Sequence, residues 1–349
     1  MFDIISIGSA TRDGFFEGVP FVIVNDKRFR VGKGVALPYG GKVKVPKVTF
    51  TTGGGGTNTA VTFARQGLKT SCIFRVGKDV SGEEIIRNLK AEKIDISFCQ
   101  IDKKTPTAYS VIFLTETGER TILSYKGAGE NISEKEIPWQ KLKTRWLYLN
   151  SLGGNLNLLK RALQFAHQNN IFVAANPGSG ELENLKNHKE LLKFFDIFIV
   201  NQEEASYLTD IPYKKEKEVF QKLDDLIQGL VVMTKGPEGV SISDGKILWQ
   251  AGVYKEKKIV DRTGAGDAFA SGFVSVFASE KIKKDNYRSI FEEDKIEKAI
   301  KTGSANGTSV VEYVGAKTGI LTKRQLQEKR WKNLPIKKFS LTNNKNKLY

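Results

Sequence analysis

The sequence predicts an α/β protein built on a mainly parallel sheet with helices on both faces. The first observation is a series of short, almost continuously apolar runs at residues 4–8, 146–149, 172–175, 197–200 and 230–233. Strands apolar on both sides belong between two covering layers, not at a half-wet surface. The second is that the stretches between them, such as 81–92 and 156–168, carry helical periodicity. Parallel neighbours need crossovers of that kind. The third is that two glycine-rich segments, 53–56 and 261–267, lie where strands end. In open α/β sheets ligands bind beyond those ends.

Taken in order, residues 4–8 form a strand ending in Gly8-Ser9. Residues 14–50 break the rhythm, being rich in Val, Phe, Gly and Lys, with Pro20, Pro38 and Pro46 and no helical period. The glycine run leads into a helix-like stretch, 58–65, with Ala60, Val61, Phe63 and Ala64 on one side and Gly67 as its stop. A helix over 81–92 is expected to start with a capping box, Ser81 to Glu84, and to bury Ile85, Ile86 and Leu89. Residues 107–125 read as a hairpin, with strands at 108–114 and 120–125 around Glu116-Thr117-Gly118-Glu119. Then follow a strand at 146–149, a helix at 156–168, strands at 172–175 and 197–200, a helix from 203, and a strand at 230–233. Asp244-Gly245 marks another hairpin, and 268–278 is long and apolar enough for a three-turn helix.

Charge narrows the function classes. The net +16 is concentrated in two places. Residues 24–50 hold seven basic residues (Lys27, Arg28, Arg30, Lys33, Lys42, Lys44, Lys47) against Asp26, and 322–349 hold nine against Glu328. Those segments carry +6 and +8, so the body is close to neutral and no specific nucleic-acid partner is expected. A nucleic-acid-binding protein on the same scaffold is the alternative from a different class, and it predicts binding that falls steeply with salt. Residues 337–349 are expected to fray. The start lacks a signal-peptide pattern and the longest apolar stretch is too short to span a bilayer, so no membrane partner is expected. With only Cys72 and Cys99, the expected compartment is the reducing cytoplasm. His167 and His188 lie far from any Cys or acid cluster, which argues against zinc and Ser-His-Asp chemistry.

The chemistry lies in Asp261-Arg262-Thr263-Gly264-Ala265-Gly266-Asp267. Gly264 and Gly266 let the chain turn so that amides at a helix start converge on one point, an anion site backed by the helix dipole. Asp267 at its lip is placed to accept the proton of an attacking hydroxyl while the amides hold developing charge. Upstream, Gly53-Gly54-Gly55-Gly56 leaves the backbone bare, so another molecule can lie against it. The chain contains no G-x-x-x-x-G-K-[ST] and no G-x-G-x-x-G, which disfavours Walker-type NTPases and dinucleotide enzymes.

Together these segments resemble the ribokinase, or phosphofructokinase-B, family of small-molecule kinases. Gly53 to Ala60 is similar to the family's G-G-x-G-x-N-x-A, and Asp261 to Asp267 to its D-T-x-G-A-G-D, with Arg262 in the second place. Asn201-Gln202-Glu203-Glu204 gives an N-x-x-E, and Thr234-Lys235-Gly236-Pro237-Glu238-Gly239 a T-x-G-x-x-G turn. The resemblance spans roughly residues 1–321, leaving 322–349 as a basic, partly disordered segment. It implies a ribokinase-like three-layer αβα core and a small β-sheet lid, drawn from about 14–50 and 107–125, that often forms a homodimer contact. It also implies ATP-dependent phosphorylation of a sugar hydroxyl, pentose or hexose, with Asp267 as base and Gly264, Ala265 and Gly266 as anion hole. Asp13, Gly54, Gly55, Asn58 and Asn150 would bind the sugar, although relatives often carry an acid at the place of Asn150. Asn201, Thr234, Lys235, Gly236, Gly239 and Asn306 would meet the nucleotide, and Glu204 would organise Mg²⁺ through water. Asp261 and Thr263 match part of a monovalent-cation site, which would make K⁺ an activator. A nucleoside acceptor, with Phe15, Phe16, Phe21 and Phe29 as a stacking surface, and a phosphosugar held by the basic lid are the alternative acceptors.

Overall fold

The computed structural model describes residues 1–29, 31–115, 120–282, 284 and 290–341. Its first half contains β1 (Phe2–Ile7), β2 (Thr11–Glu17), β3 (Val22–Asn25), β4 (Lys33–Ala36), β5 (Lys47–Gly53), α1 (Gly55–Arg65), β6 (Thr70–Ile73), β7 (Arg75–Gly77), α2 (Val80–Ala91), β8 (Gln100–Asp102), β9 (Ala108–Leu114), β10 (Arg120–Tyr125) and β11 (Thr144–Leu149). There follow α3 (Leu156–Gln168), β12 (Phe172–Ala175), α4 (Ser179–Asn187), β13 (Ile197–Asn201), α5 (Gln202–Thr209), α6 (Glu216–Asp224), β14 (Leu230–Thr234), β15 (Val240–Ser243), β16 (Ile247–Ala251), α7 (Ala265–Ser279), α8 (Glu293–Val310) and β17 (Ile336–Ser340).

Nine strands form the main sheet in the order β17-β16-β15-β14-β13-β12-β11-β1-β6. The run from β6 to β14 is parallel, and β15, β16 and β17 add antiparallel neighbours. The apolar runs are continuous because alternate residues serve two cores. Ile5, Leu147, Val173 and Phe198 pack with residues of α3 to α6, while Ile4, Trp146, Phe172 and Ile197 pack with Phe63 of α1 and the apolar faces of α7 and α8. The expected three layers are thus present.

A second sheet, β10-β9-β2-β5, stands beyond the carboxyl end of β1. It uses more chain than the sequence suggested. β2 begins at Thr11 and β5 runs to Gly53, while β3 and β4 make a separate two-stranded hairpin in between. β9 and β10 match the expected hairpin strands, and their turn at 116–119 lies outside the described residues.

Two local expectations need correction. The α2 cap is Asp79, whose carboxylate accepts from the Gly82 amide at 2.8 Å and also from Thr107, so the Ser81–Glu84 box is displaced by tertiary contacts. Of the stretch expected to fray, 337–349, residues 337–340 belong to an ordered strand. Trp331 and Leu334 are buried and β17 pairs with β16 from Ile336 to Ser340. Burying each large apolar side chain contributes about 1.5–3 kcal/mol, enough to hold this basic stretch on the body. Residues 342–349 lie outside the described ones.

Candidate active site

The predicted residues gather where β1, β11, β13 and β14 end. Asp267 lies in the first turn of α7 and is half-buried. Its Oδ2 accepts from Asn58 Nδ2 at 2.9 Å and its Oδ1 from Asn150 Nδ2 at 3.1 Å. Asn150 follows β11, and its amide donates to the Ile7 carbonyl at the end of β1, so the sheet itself fixes one of these ligands. Asn58 belongs to α1 and is buried, yet its Oδ1 has no hydrogen-bond partner among the described residues. Burial pushes the Asp267 carboxyl up, opposed by the Asn58 and Asn150 hydrogen bonds and the field of Lys317.

Gly264 precedes α7 with φ of 79°, and a Cβ there would sit 2.4 Å from the Ala316 Cβ. A Cβ on Gly266 would meet nothing within 4 Å. The helix start therefore has one closed side, packed by Ala316, and one open side. The first amides of a helix have no intrahelical partner, so the open side suits an anion.

The glycine run is occupied mostly by the chain itself. A Cβ at Gly53 would lie 1.9 Å from Asp13 Oδ2, one at Gly55 1.8 Å from Asn150 Oδ1, and one at Gly56 2.5 Å from the Gly8 carbonyl carbon. Gly54, with φ of 93°, is the cap of α1. The helix begins at Gly55, three residues before the expected start, so bareness here admits two site side chains and the end of β1. Asp13 lies within β2, not in a loop, and is 5% exposed. Burial raises its carboxyl to about 6, against the Ser110 hydrogen bond and the charges of Lys317 and Arg12. An acid whose folded value is raised weakens the fold as pH climbs through and above its ordinary range. Asp13→Asn is accordingly expected to raise stability at pH 7 by up to about 3 kcal/mol, at roughly 1.4 kcal/mol per pH unit. Chemical denaturation at pH 4 and pH 7 checks this, with the gain vanishing at the lower pH.

Asn201 and Glu204 form a reciprocal capping box on α5. The Asn201 amide donates to Glu204 Oε2 at 2.8 Å, and the Glu204 amide to Asn201 Oδ1 at 2.9 Å. Thr234 ends β14, and the following turn closes with Lys235 N–H donating to the Gly239 carbonyl at 2.8 Å. The Lys235 ammonium pairs with Glu216 at 3.3 Å. Gly236 has open space around it, whereas a Cβ on Gly239 would strike the Ala251 carbonyl. Asp261 is fully buried and its two oxygens accept from the Thr263 and Gly315 amides at 2.9 and 3.0 Å. The Thr263 hydroxyl is buried without a partner.

Asn306 corrects the expectation of an adenine contact. Its side chain is fully buried, donates to the Ala268 carbonyl at 2.7 Å and accepts from the Leu321 amide at 2.9 Å. It is a strap between α8, α7 and the segment beyond.

Two charged residues escaped the sequence reading. Glu181 is 2% exposed and accepts from the amides of Leu152, Gly154 and Gly178, tying together the loops after β11 and β12. Lys317 is 8% exposed and donates to the hydroxyls of Thr52 and Thr57. No pattern flags either one, because their partners lie up to 265 positions away.

No helix among the described residues is long and apolar enough to cross a membrane. Residues 23–323 match the family described as "pfkB family carbohydrate kinase". The chain is 27% identical over 282 residues to a ribokinase of Haemophilus influenzae, covering 79% of this chain and 86% of that one. Among solved structures, a nucleoside kinase of Methanocaldococcus jannaschii aligns with a TM-score of 0.71 at 22% identity, covering 94% of this chain and 97% of that one. Arabidopsis thaliana ribokinase complexed with ribose and ATP aligns with a TM-score of 0.70 at 19% identity, covering 95% and 98%. The fold is that of ribokinases, and the chain belongs to the pfkB family of carbohydrate kinases.

Proposed function

We propose that this kinase transfers the terminal phosphoryl group of ATP to a hydroxyl of a small sugar, pentose or hexose. The observation that carries this reading is the Asp267 carboxylate between the Asn58 and Asn150 amides, beside a buried Asn58 Oδ1 that lacks a donor. An unsatisfied buried carbonyl costs about 1–3 kcal/mol, and a sugar hydroxyl supplies the missing hydrogen bond. Asp13 adds a second acceptor that orients the sugar, and Gly54 and Gly55 let the ring approach the turn. The acceptor oxygen attacks the γ-phosphorus, its proton passes to Asp267, and the bond to ADP breaks. The amides from Gly264 to Gly266 hold the charge on the transferred group, and the open side at Gly266 gives it room.

The nucleotide lies toward β13 and β14, against Asn201 and the turn from Thr234 through Lys235 and Gly236 to Gly239. The oxygens of Asn201 and Glu204 at the start of α5 would hold a hard Mg²⁺ carried on the phosphates, Glu204 through water. Mg²⁺ would supply charge neutralisation there. K⁺ activation fits the unpartnered Thr263 hydroxyl, while Asp261 already uses both oxygens to hold the loop.

Two of the four aromatic residues speak against a nucleoside. Phe15 is fully buried among Ile112 and Leu114, and Phe16 packs on Phe113 with ring centroids 6.0 Å apart. Phe29, between β3 and β4, is exposed. In the region that was to grip a phosphosugar, Arg28 pairs with Asp26 and Lys47 with Glu17. The test is ADP release with ribose, 2-deoxyribose, fructose, adenosine, inosine and fructose 6-phosphate as acceptors. Turnover of a free sugar is expected, and turnover confined to nucleosides or to the phosphosugar would overturn the choice.

The lid supports a homodimer. Its face away from Asp13 carries Phe50, Leu123 and Val48, all at least 40% exposed. A thin sheet with one apolar face uncovered is marginal in water, and a second copy of the same face covers it symmetrically. Light scattering should give twice the chain mass for the wild type and a single chain for Phe50→Glu with Leu123→Glu.

A further inference from the structure

Lys317 lies where three parts of the site meet. Two residues before it, the Gly315 amide holds Asp261. One residue before it, Ala316 fills the space at Gly264. Its own ammonium donates to Thr52 Oγ1 at 2.9 Å and to Thr57 Oγ1 at 2.8 Å. Thr52 is in β5, at the root of the small sheet, and also bonds Asn88 of α2. Thr57 is in the first turn of α1 and donates onward to the Gly53 carbonyl. Both partners are hydroxyls, so no carboxylate among the described residues neutralises the charge by direct contact.

We propose that Lys317 is a positioning residue for the reaction, clamping the root of the small sheet to the glycine turn and setting there a cation whose field reaches both Asp13 and Asp267. This rests on the kinase reading above only for its consequence in catalysis. Burial draws the Lys317 ammonium down to about 7, against the fields of Asp13 on β2, Cys72 on β6, Glu92 after α2 and Asp267 on α7. Arg65 of α1 also faces it, donating to its carbonyl at 3.0 Å. Asp267 meets Asn58, Asn150 and the buried Tyr148 besides Lys317. Asp13 meets Ser110, Asp261 and Arg12. Lys317 is the cation common to both carboxylates.

The sign follows from Coulomb's law. Removing the cation makes both carboxylates harder to ionise, so their titration moves to higher pH. The test is carbon NMR titration of aspartate-labelled protein, with the two signals assigned through Asp13→Asn and Asp267→Asn. In Lys317→Met, both signals should titrate at higher pH than in the wild type, and Lys317→Arg should restore most of the difference. Unchanged titration in a folded Lys317→Met overturns the proposal. If that variant does not fold, the reciprocal measurement decides, because coupling between sites is symmetric. Asp267→Asn leaves the threonine clamp intact and must lower the pH at which the Lys317 ammonium titrates. An unmoved ammonium refutes the coupling. With ribose as probe, the acid limb of kcat should move by the same interval as the Asp267 signal. Failure of every acceptor with the NMR shifts intact would sink the kinase reading alone.

Discussion

Asp267→Asn should lower kcat by at least about 100-fold while leaving the protein folded, because a positioned base contributes on the order of 10²–10⁴ to such a step. The substitution is close to isosteric, and the neutral side chain removes the desolvation cost that pushes the acid up. Thermal stability is therefore expected to hold or rise. The amides of Asn58 and Asn150 both donate to this group, so one of them loses an acceptor when an amide nitrogen replaces a carboxylate oxygen. KM for the sugar should rise by a smaller factor than kcat falls. Steady-state kinetics with the best acceptor from the panel, together with a melting curve, checks all three. Near-normal turnover in a folded variant would remove Asp267 from the role of base. In the wild type, kcat should fall on the acid side as Asp267 takes up its proton, at a pH above the ordinary carboxylate range.

The glycines at the head of α7 give the second large effect, and they should behave oppositely. Gly264→Ala forces a left-handed backbone on an alanine, which costs about 1–2 kcal/mol, and drives its Cβ into Ala316. The displaced loop also carries Gly315, which holds Asp261, and Lys317. Stability and activity should both drop, the melting temperature by several degrees. At Gly266 a Cβ meets no protein atom, and alanine suits a helix better than glycine by about 1 kcal/mol. Gly266→Ala should therefore keep or raise the melting temperature while reducing kcat at least about tenfold, if the transferred phosphate needs the open side. Full activity in Gly266→Ala would move the anion hole elsewhere.

Much of this site was legible because its motifs are local. The turn from Asp261 to Asp267 and the run from Gly53 to Asn58 each combine backbone freedom with a polar side chain a few residues on, and both converge on the same carboxylate. The strands were legible because burial on both faces leaves a continuous apolar run, as at Ile197–Asn201. What escaped depends on contacts distant in sequence. Asp79 outcompetes Ser81 as a cap because Thr107 reaches it from β9's approach. Asn306 looked like a ligand contact and is instead a core strap, since an amide carries no sign of whether its partner is a ligand or a carbonyl. Lys317 belongs to no motif, and only the fold buries it against Thr52 and Thr57.

The pairing of β17 with β16 has a practical consequence. Shortening the chain at residue 321 is the direct way to remove the basic segment and ask whether it binds nucleic acid. It would also strip the main sheet of its last strand and leave the outer edge of Ile247–Ala251, the side away from β15, unpaired. An exposed strand edge of that kind recruits other chains, so such a truncation would report insolubility rather than lost binding. A charge-neutral replacement at Lys337, exposed on β17 with its ladder left intact, would separate electrostatics from architecture, whereas Lys338 is held by Glu293 and Glu297 of α8. The strand that looks like a dispensable tail is the sheet's protection against aggregation.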